Sequence, residues 1–189
     1  MQLKIKSSQA WLAAVLSDFD RFLQDHASCE KKASGMALSF ISHYPDKPEL
    51  IKAMMDLALE ELNHFKQVYA IMEKQGIELA ADVKDPYINQ LKQLIGQGRE
   101  QYLIDRLLVA AIVERRGHER FGLIAQALPE GKLKRFYQVI TRSEAKHYEL
   151  FLNLAHQYAQ RVDVTSRLEQ LLIAEAAIIE QLPALPQLH

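Results

Sequence analysis

LALEELNHFKQVYAIMEKQG, residues 57–76, and SEAKHYELFLNLA, residues 143–155, each carry Glu-x-x-His inside an apolar pattern: Glu61 with His64, and Glu144 with His147. A step of three residues on an α-helix leaves two side chains on one face, about 60° apart. That face is the apolar one. Alternating steps of four and three run through Leu50, Met54, Leu57, Glu61, His64, Val68 and Ile71, and through Leu133, Tyr137, Ile140, Glu144, His147, Phe151 and Leu154. Two more stretches show the same stripe with a single glutamate. One reads Leu16, Phe19, Leu23, His26, Glu30, Ala33, Ala37 and Phe40, the other Leu103, Leu107, Ala110, Glu114, Gly117, Phe121 and Ile124. An ionised glutamate in a helix core costs several kcal/mol unless it is paired or ligates a metal, so four such stripes ask for a common explanation.

Working outward, proline and glycine punctuate the chain at Pro45 and Pro48, Gly76, Pro86, Gly96 and Gly98, Pro129 and Gly131, and Pro183 and Pro186. The intervals suit helices at about 17–43, 47–75, 99–127, 130–160 and 166–181, with a lead-in helix near 8–16 and a short surface helix within 85–98. Asp46 with Glu49 and Ser166 with Glu169 read as capping boxes, and Pro48 fits a first helical turn. Short links join the first and last pairs of long helices, while a long link separates the pairs. The expectation is an all-α, ferritin-like four-helix bundle with one long crossover and an additional C-terminal helix, forming a single domain over 1–189.

Composition agrees with long regular elements: of 189 residues, 49% are hydrophobic and 25% charged, with 7 Gly and 6 Pro, which excludes a disordered or collagen-like chain. A single cysteine, Cys29, excludes an internal disulfide and a thiolate-only zinc site. No apolar run is long enough for a membrane span, and the N-terminus does not read as a signal peptide, so a cytoplasmic location is expected. The net charge of −1 argues against nucleic-acid binding by bulk positive charge. Setting aside the four core glutamates leaves +3 on the rest of the chain, enough for modest affinity toward a polyanion.

Glu30, Glu61, His64, Glu114, Glu144 and His147 thus make a set of four carboxylates and two imidazoles, the established pattern of ferritin-like di-iron and di-manganese proteins. Glu30 and Glu61 lie 15 and 16 residues from Pro45, and Glu114 and Glu144 each lie 15 from Pro129, so each pair stands at one height along its hairpin. Glu119 falls about 7.5 Å lower and off the stripe. Glu60 has the other helical spacing to His64, but the second motif offers only Glu144, and the symmetry between the motifs selects Glu61. Four carboxylates balance two divalent ions with both imidazoles neutral, and oxygen and nitrogen donors suit iron or manganese.

CEKKASGMALSFISHY (29–44), LALEELNHFKQVYAIMEKQG, VERRGHERF (113–121) and SEAKHYELFLNLA together resemble the bacterial tRNA hydroxylases that act on 2-methylthio-isopentenyladenosine next to the anticodon. The resemblance covers roughly residues 15–160. It implies two iron ions held by the six residues above, O2 as co-substrate, and hydroxylation of the isopentenyl side chain. It also implies tRNA as partner and no membrane. No flavin, nicotinamide or iron–sulfur motif is present, so electrons are expected from an external donor protein or reductase. The alternative is a ferritin-like ferroxidase or peroxide-scavenging iron protein.

Lesser candidates surround this core. His26, Glu60 and His118 each lie within a turn or so of a ligand and suit a supporting hydrogen bond. Lys31, Arg116 and Arg120 flank the ligands in sequence and are expected as a basic rim meeting tRNA phosphate, although such charges more often form a plain solvated face. Cys29 reads as a buried, inert thiol. Ala33, Ala37, Ala110 and Gly117 either open a pocket or allow close helix packing.

Overall fold

A computed structural model describes residues 1–189 as seven α-helices and no strand. They are α1 (Gln9–Ser17), α2 (Phe19–His43), α3 (Pro48–Gln75), α4 (Pro86–Gln93), α5 (Arg99–Ala127), α6 (Lys132–Tyr158) and α7 (Val164–Gln181). The chain divides into two compact units, one of residues 13–83 with 185–188, the other of residues 1–12, 84–184 and 189.

The first unit is the α2–α3 hairpin. Asp18 starts α2 by accepting a hydrogen bond from the Arg21 amide. Gly76 ends α3 in the left-handed region at φ 71°, where the Ile77 amide reaches back to the Met72 carbonyl at 3.0 Å and closes the last turn. Phe22, Leu23, Ala37, Phe40, Leu50, Met54, Leu57 and Val68 form the buried seam. The Ser34 hydroxyl donates to the Ala58 carbonyl at 2.9 Å, drawing the two helices together. Segment 78–83 then runs back over α2. Gln24 Nε2 donates to the Glu78 carbonyl at 2.8 Å, and the Ser28 hydroxyl to Asp82 at 2.7 Å.

The second unit is the α5–α6 hairpin with α4, α7 and the N-terminal segment. Two polar ties hold its connections. Asp105, fully buried, accepts from the Gly96 amide at 2.8 Å and from Arg167 Nε at 2.8 Å, joining the end of the crossover and α7 to α5. One Glu100 carboxylate oxygen accepts the amides of Gln160, Arg161 and Val162 at 2.7, 2.7 and 3.1 Å, which fastens the turn after α6 to the start of α5.

Both expected capping boxes are corrected. Helix α3 has Lys47 at its cap with no side-chain hydrogen bond, because a lysine ammonium offers no acceptor to the first amides, and Pro48 at the first position fixes the entry angle instead. Helix α7 begins before Ser166, at Asp163, whose carboxylate accepts the Thr165 and Ser166 amides and outcompetes a serine hydroxyl as an anionic cap.

Candidate metal centre

Each hairpin folds its candidate ligand residues onto its own inner seam. In the α2–α3 unit, Glu30, Glu61 and His64 are buried, and one donor atom from each lies within 4.8 Å of the others. His64 Nδ1 stands 3.3 Å from Glu61 Oε2 and 3.6 Å from Glu30 Oε2. In the α5–α6 unit, Glu114, Glu144 and His147 repeat the arrangement within the same limit, with His147 Nδ1 3.9 Å from Glu114 Oε2 and 3.9 Å from Glu144 Oε1. The heptad reading explains the correspondence: a lone glutamate on one helix stands level with Glu-x-x-His on the next, and both imidazoles aim Nδ1 at two carboxylates.

Two carboxylates and one neutral imidazole form a hard, mixed oxygen and nitrogen donor set, which fits a divalent iron or manganese ion. With one such set in each hairpin, the buried Glu and His residues can bind two metals. Gly117 adds a steric observation. A Cβ at this position would stand 3.4 Å from Glu144 Oε2 and 3.7 Å from the Phe121 ring, so the missing side chain leaves the Glu144 carboxylate its space.

Burial alone would raise the pKa of Glu30, but hydrogen bonds from His26 and His64 outweigh it and hold the carboxyl well below its ordinary range. Burial alone would lower that of His64, yet its hydrogen bonds to Glu30 and Glu61 push it up to about 10. Without a metal the protein therefore keeps a proton on His64 as counter-charge to its carboxylates. A bound cation takes over that role and releases the proton.

The supporting candidates divide. His26, fully buried, places Nε2 2.6 Å from Glu30 Oε1 and holds that carboxylate from behind. Glu60 is half exposed, 3.9 Å from His64 Nε2, on the ring edge opposite the Nδ1 that faces Glu30 and Glu61. His118 turns its Nδ1 to the Thr141 carbonyl at 2.8 Å and braces α5 against α6. Lys31 is exposed and pairs with Asp82 at 3.0 Å. Cys29 is half-buried, 3.8 Å from an Asp25 oxygen, instead of fully buried.

The basic rim expected at Arg116 and Arg120 is corrected. Both are buried, at 0% and 5% exposure. Arg116 forms a bidentate pair with the fully buried Glu175 and a third bond to Glu119 Oε2 at 2.8 Å. Arg120 lies over the Trp11 ring at 4.6 Å and donates to the Ser7 hydroxyl at 3.0 Å. Burial and the neighbouring Arg116 charge lower its pKa to about 10. These arginines clasp the N-terminal segment and α7 to α5. Their sequence position beside the ligands concealed this, because the helical turn sends Arg116 and Arg120 toward another face than Glu114. Glu175 escaped sequence reasoning; its one signal is an acid within the apolar run LLIAEAAII (171–179).

The family model for tRNA-(MS[2]IO[6]A)-hydroxylase (MiaE) matches residues 1–189. The chain belongs to the MiaE family. A tRNA 2-(methylsulfanyl)-N(6)-isopentenyladenosine(37) hydroxylase of Pseudomonas putida is 38% identical over 171 residues, covering 90% of this chain and 83% of that protein. A protein of the same name from Salmonella typhimurium is 34% identical over 131 residues, covering 69% of this chain and 48% of its own length. Among solved structures, Protein 43 with aldehyde deformylating oxygenase activity from Synechococcus superposes with a TM-score of 0.94 at 34% identity, covering 100% of this chain and 96% of that one. The ferritin-like, all-α fold of the MiaE chain is thereby established, and no helix of it is long and apolar enough to cross a membrane.

Proposed function

We propose that this protein hydroxylates the isopentenyl side chain of 2-methylthio-isopentenyladenosine in tRNA, next to the anticodon, as a cytoplasmic O2-dependent di-iron monooxygenase. In this reading residues 1–189 act as one ferritin-like domain, and Glu30, Glu61, His64, Glu114, Glu144 and His147 hold two iron ions. The observation that carries it is the doubled half-site: in each hairpin a histidine Nδ1 faces two buried carboxylates, within a chain whose named relatives are tRNA hydroxylases.

Bound iron would supply the redox chemistry that activates O2. The chain's own residues supply the rest. The four glutamates offset the ions' charge, and a carboxylate can change from one-atom to two-atom contact as that charge changes. His26, 2.6 Å from Glu30, restrains one ligand while leaving the other oxygen turned toward His64. Leu107, Phe121, Ile140 and Phe151 make the α5–α6 seam apolar, which excludes water and suits a hydrocarbon substrate group over a polar one. Electrons come from a separate donor protein or reductase.

The test is to load the protein with ferrous iron and incubate it with a reductant, O2 and hypomodified tRNA, then analyse nucleosides by mass spectrometry. The reading requires one added oxygen atom on the isopentenyl group. Rapid oxidation and storage of free ferrous iron with no such product would support a ferroxidase instead, and deformylation of an aldehyde with tRNA untouched would place the chain with its structural neighbour.

A further inference from the structure

On α6 the positions 132, 135, 139, 142 and 146 repeat the three-and-four step of the ligand stripe, but on the opposite face. They are Lys132, Arg135, Val139, Arg142 and Lys146, all exposed. From Lys132 to Lys146 the stripe spans 15 residues, about 21 Å of helix. None of its four cations is paired with an acid, whereas the flanking Lys134 is bound to Glu130 at 2.7 Å. No acidic residue follows Lys132 until Glu144, which is buried, and the next exposed acid is Glu149. Several other surface cations are neutralised by acids or separated by them along the chain. Lys31 pairs with Asp82, Arg167 with Asp105, and along α3 the exposed acids Asp56 and Glu60 lie between Lys52 and Lys66.

We infer that the outer face of α6, through Lys132, Arg135, Arg142 and Lys146, is the surface that grips the sugar–phosphate backbone of the RNA substrate. The inference rests on the tRNA hydroxylase reading and replaces the rim once expected at Arg116 and Arg120. A line of one sign with no acid to set a register suits a partner whose own charge repeats uniformly, and a nucleic-acid strand presents one phosphate at every nucleotide. Two of the four cations are arginines, whose planar fork matches phosphate oxygens in pairs. Val139 offers a small apolar contact between the cations, suited to a ribose.

The stripe also lies at the right place on its helix. Arg142 and Lys146 flank Glu144 and His147 in sequence and point the other way, so one helix diameter, about 10–12 Å, separates the gripped backbone from the metal ligands. The base to be modified must leave its stack to reach the iron in either case, and the cations hold the strand that carries it.

The experiment compares full-length wild-type protein, the combined variant K132Q/R135Q/R142Q/K146Q and the control K52Q/K66Q. Binding of an anticodon stem–loop RNA bearing isopentenyladenosine is followed by fluorescence anisotropy over a salt series, beside hydroxylation of the free nucleoside with a chemical reductant. The expected result is a loss of RNA affinity of at least about tenfold in the stripe variant, with the slope of log K against log salt reduced by roughly 3, since each phosphate contact contributes about 0.7 to 0.9. The control keeps the wild-type slope, and all three proteins share the iron spectrum and nucleoside turnover. Equal affinities for wild type and stripe variant, or an equal loss in the control, overturns the inference and leaves the hydroxylase reading standing. If the stripe variant binds RNA normally but loses turnover driven by the donor protein alone, the face serves an acidic electron carrier and the inference fails. Wild-type protein that neither binds the RNA nor hydroxylates the nucleoside defeats the function itself, and the inference with it.

Discussion

The guanidinium of Arg116 and the carboxylate of Glu175 meet across 59 residues of chain, Nε to Oε1 at 2.9 Å and Nη2 to Oε2 at 3.0 Å, with neither side chain exposed to solvent. Tyr87 of α4 donates its hydroxyl to the same Oε1 at 3.1 Å. One buried acid thus ties α4 and α7 to α5, two residues from Glu114. Removing one partner of a buried pair leaves an uncompensated charge. Glu175→Ala should therefore lower stability by about 3–5 kcal/mol in urea unfolding, while Arg116→Met with Glu175→Leu should recover much of the loss.

Glu119 and Glu114 separate a structural acid from a proposed iron ligand. Glu119 accepts the Ser7 amide and hydroxyl, each at 2.8 Å, and the Arg116 guanidinium. Glu119→Ala should release the N-terminal segment, seen as faster amide exchange before α1, at a cost of about 1–3 kcal/mol, and leave the iron spectrum intact. Glu114→Ala or Glu144→Ala should abolish the dinuclear spectrum.

Gly117 tests the space beside Glu144. Alanine adds only a Cβ, at 3.4 Å from Glu144 Oε2, and removes a helix-interior glycine. Gly117→Ala should thus stabilise the metal-free protein by about 0.5–1 kcal/mol and still bind iron. Gly117→Val carries two further carbons toward Glu144 and Phe121, and iron titration should show weakened occupancy.

The charged form of His64 gives the metal-free protein a defined pH dependence. Its pKa, raised to about 10, exceeds the unfolded value near about 6.5. The stabilisation is fully present below the unfolded value and is lost as pH rises through the folded one. Thermal unfolding of metal-free protein should show this fall between about pH 6.5 and 10, and His64→Gln should lack it. Iron binding expels the proton, so it should tighten as pH rises over the same interval, checked by calorimetry in buffers of different ionisation enthalpy.

What the sequence determined by itself is periodic and local. Helix phase placed Glu30, Glu61, His64, Glu114, Glu144 and His147 on inward stripes, and equal distances from Pro45 and Pro129 matched their heights, because rise and turn per residue are constant in any α-helix. The Glu-x-x-His pairs were legible for the same reason. What only the tertiary structure decided is how a charged side chain off those stripes is used. Arg116 and Arg120 carry charges that periodicity assigns to solvent, yet they are buried, because the N-terminal segment, α4 and α7 cover that side of α5 and α7 brings Glu175 to meet Arg116. Lys132, Arg135, Arg142 and Lys146 carry the same kinds of charge and stay exposed, because nothing packs on the outer face of α6. Helical phase says which way a side chain points from its own axis. Which segments, distant in sequence, arrive to cover it depends on long-range packing and partner charges that no local repeat encodes.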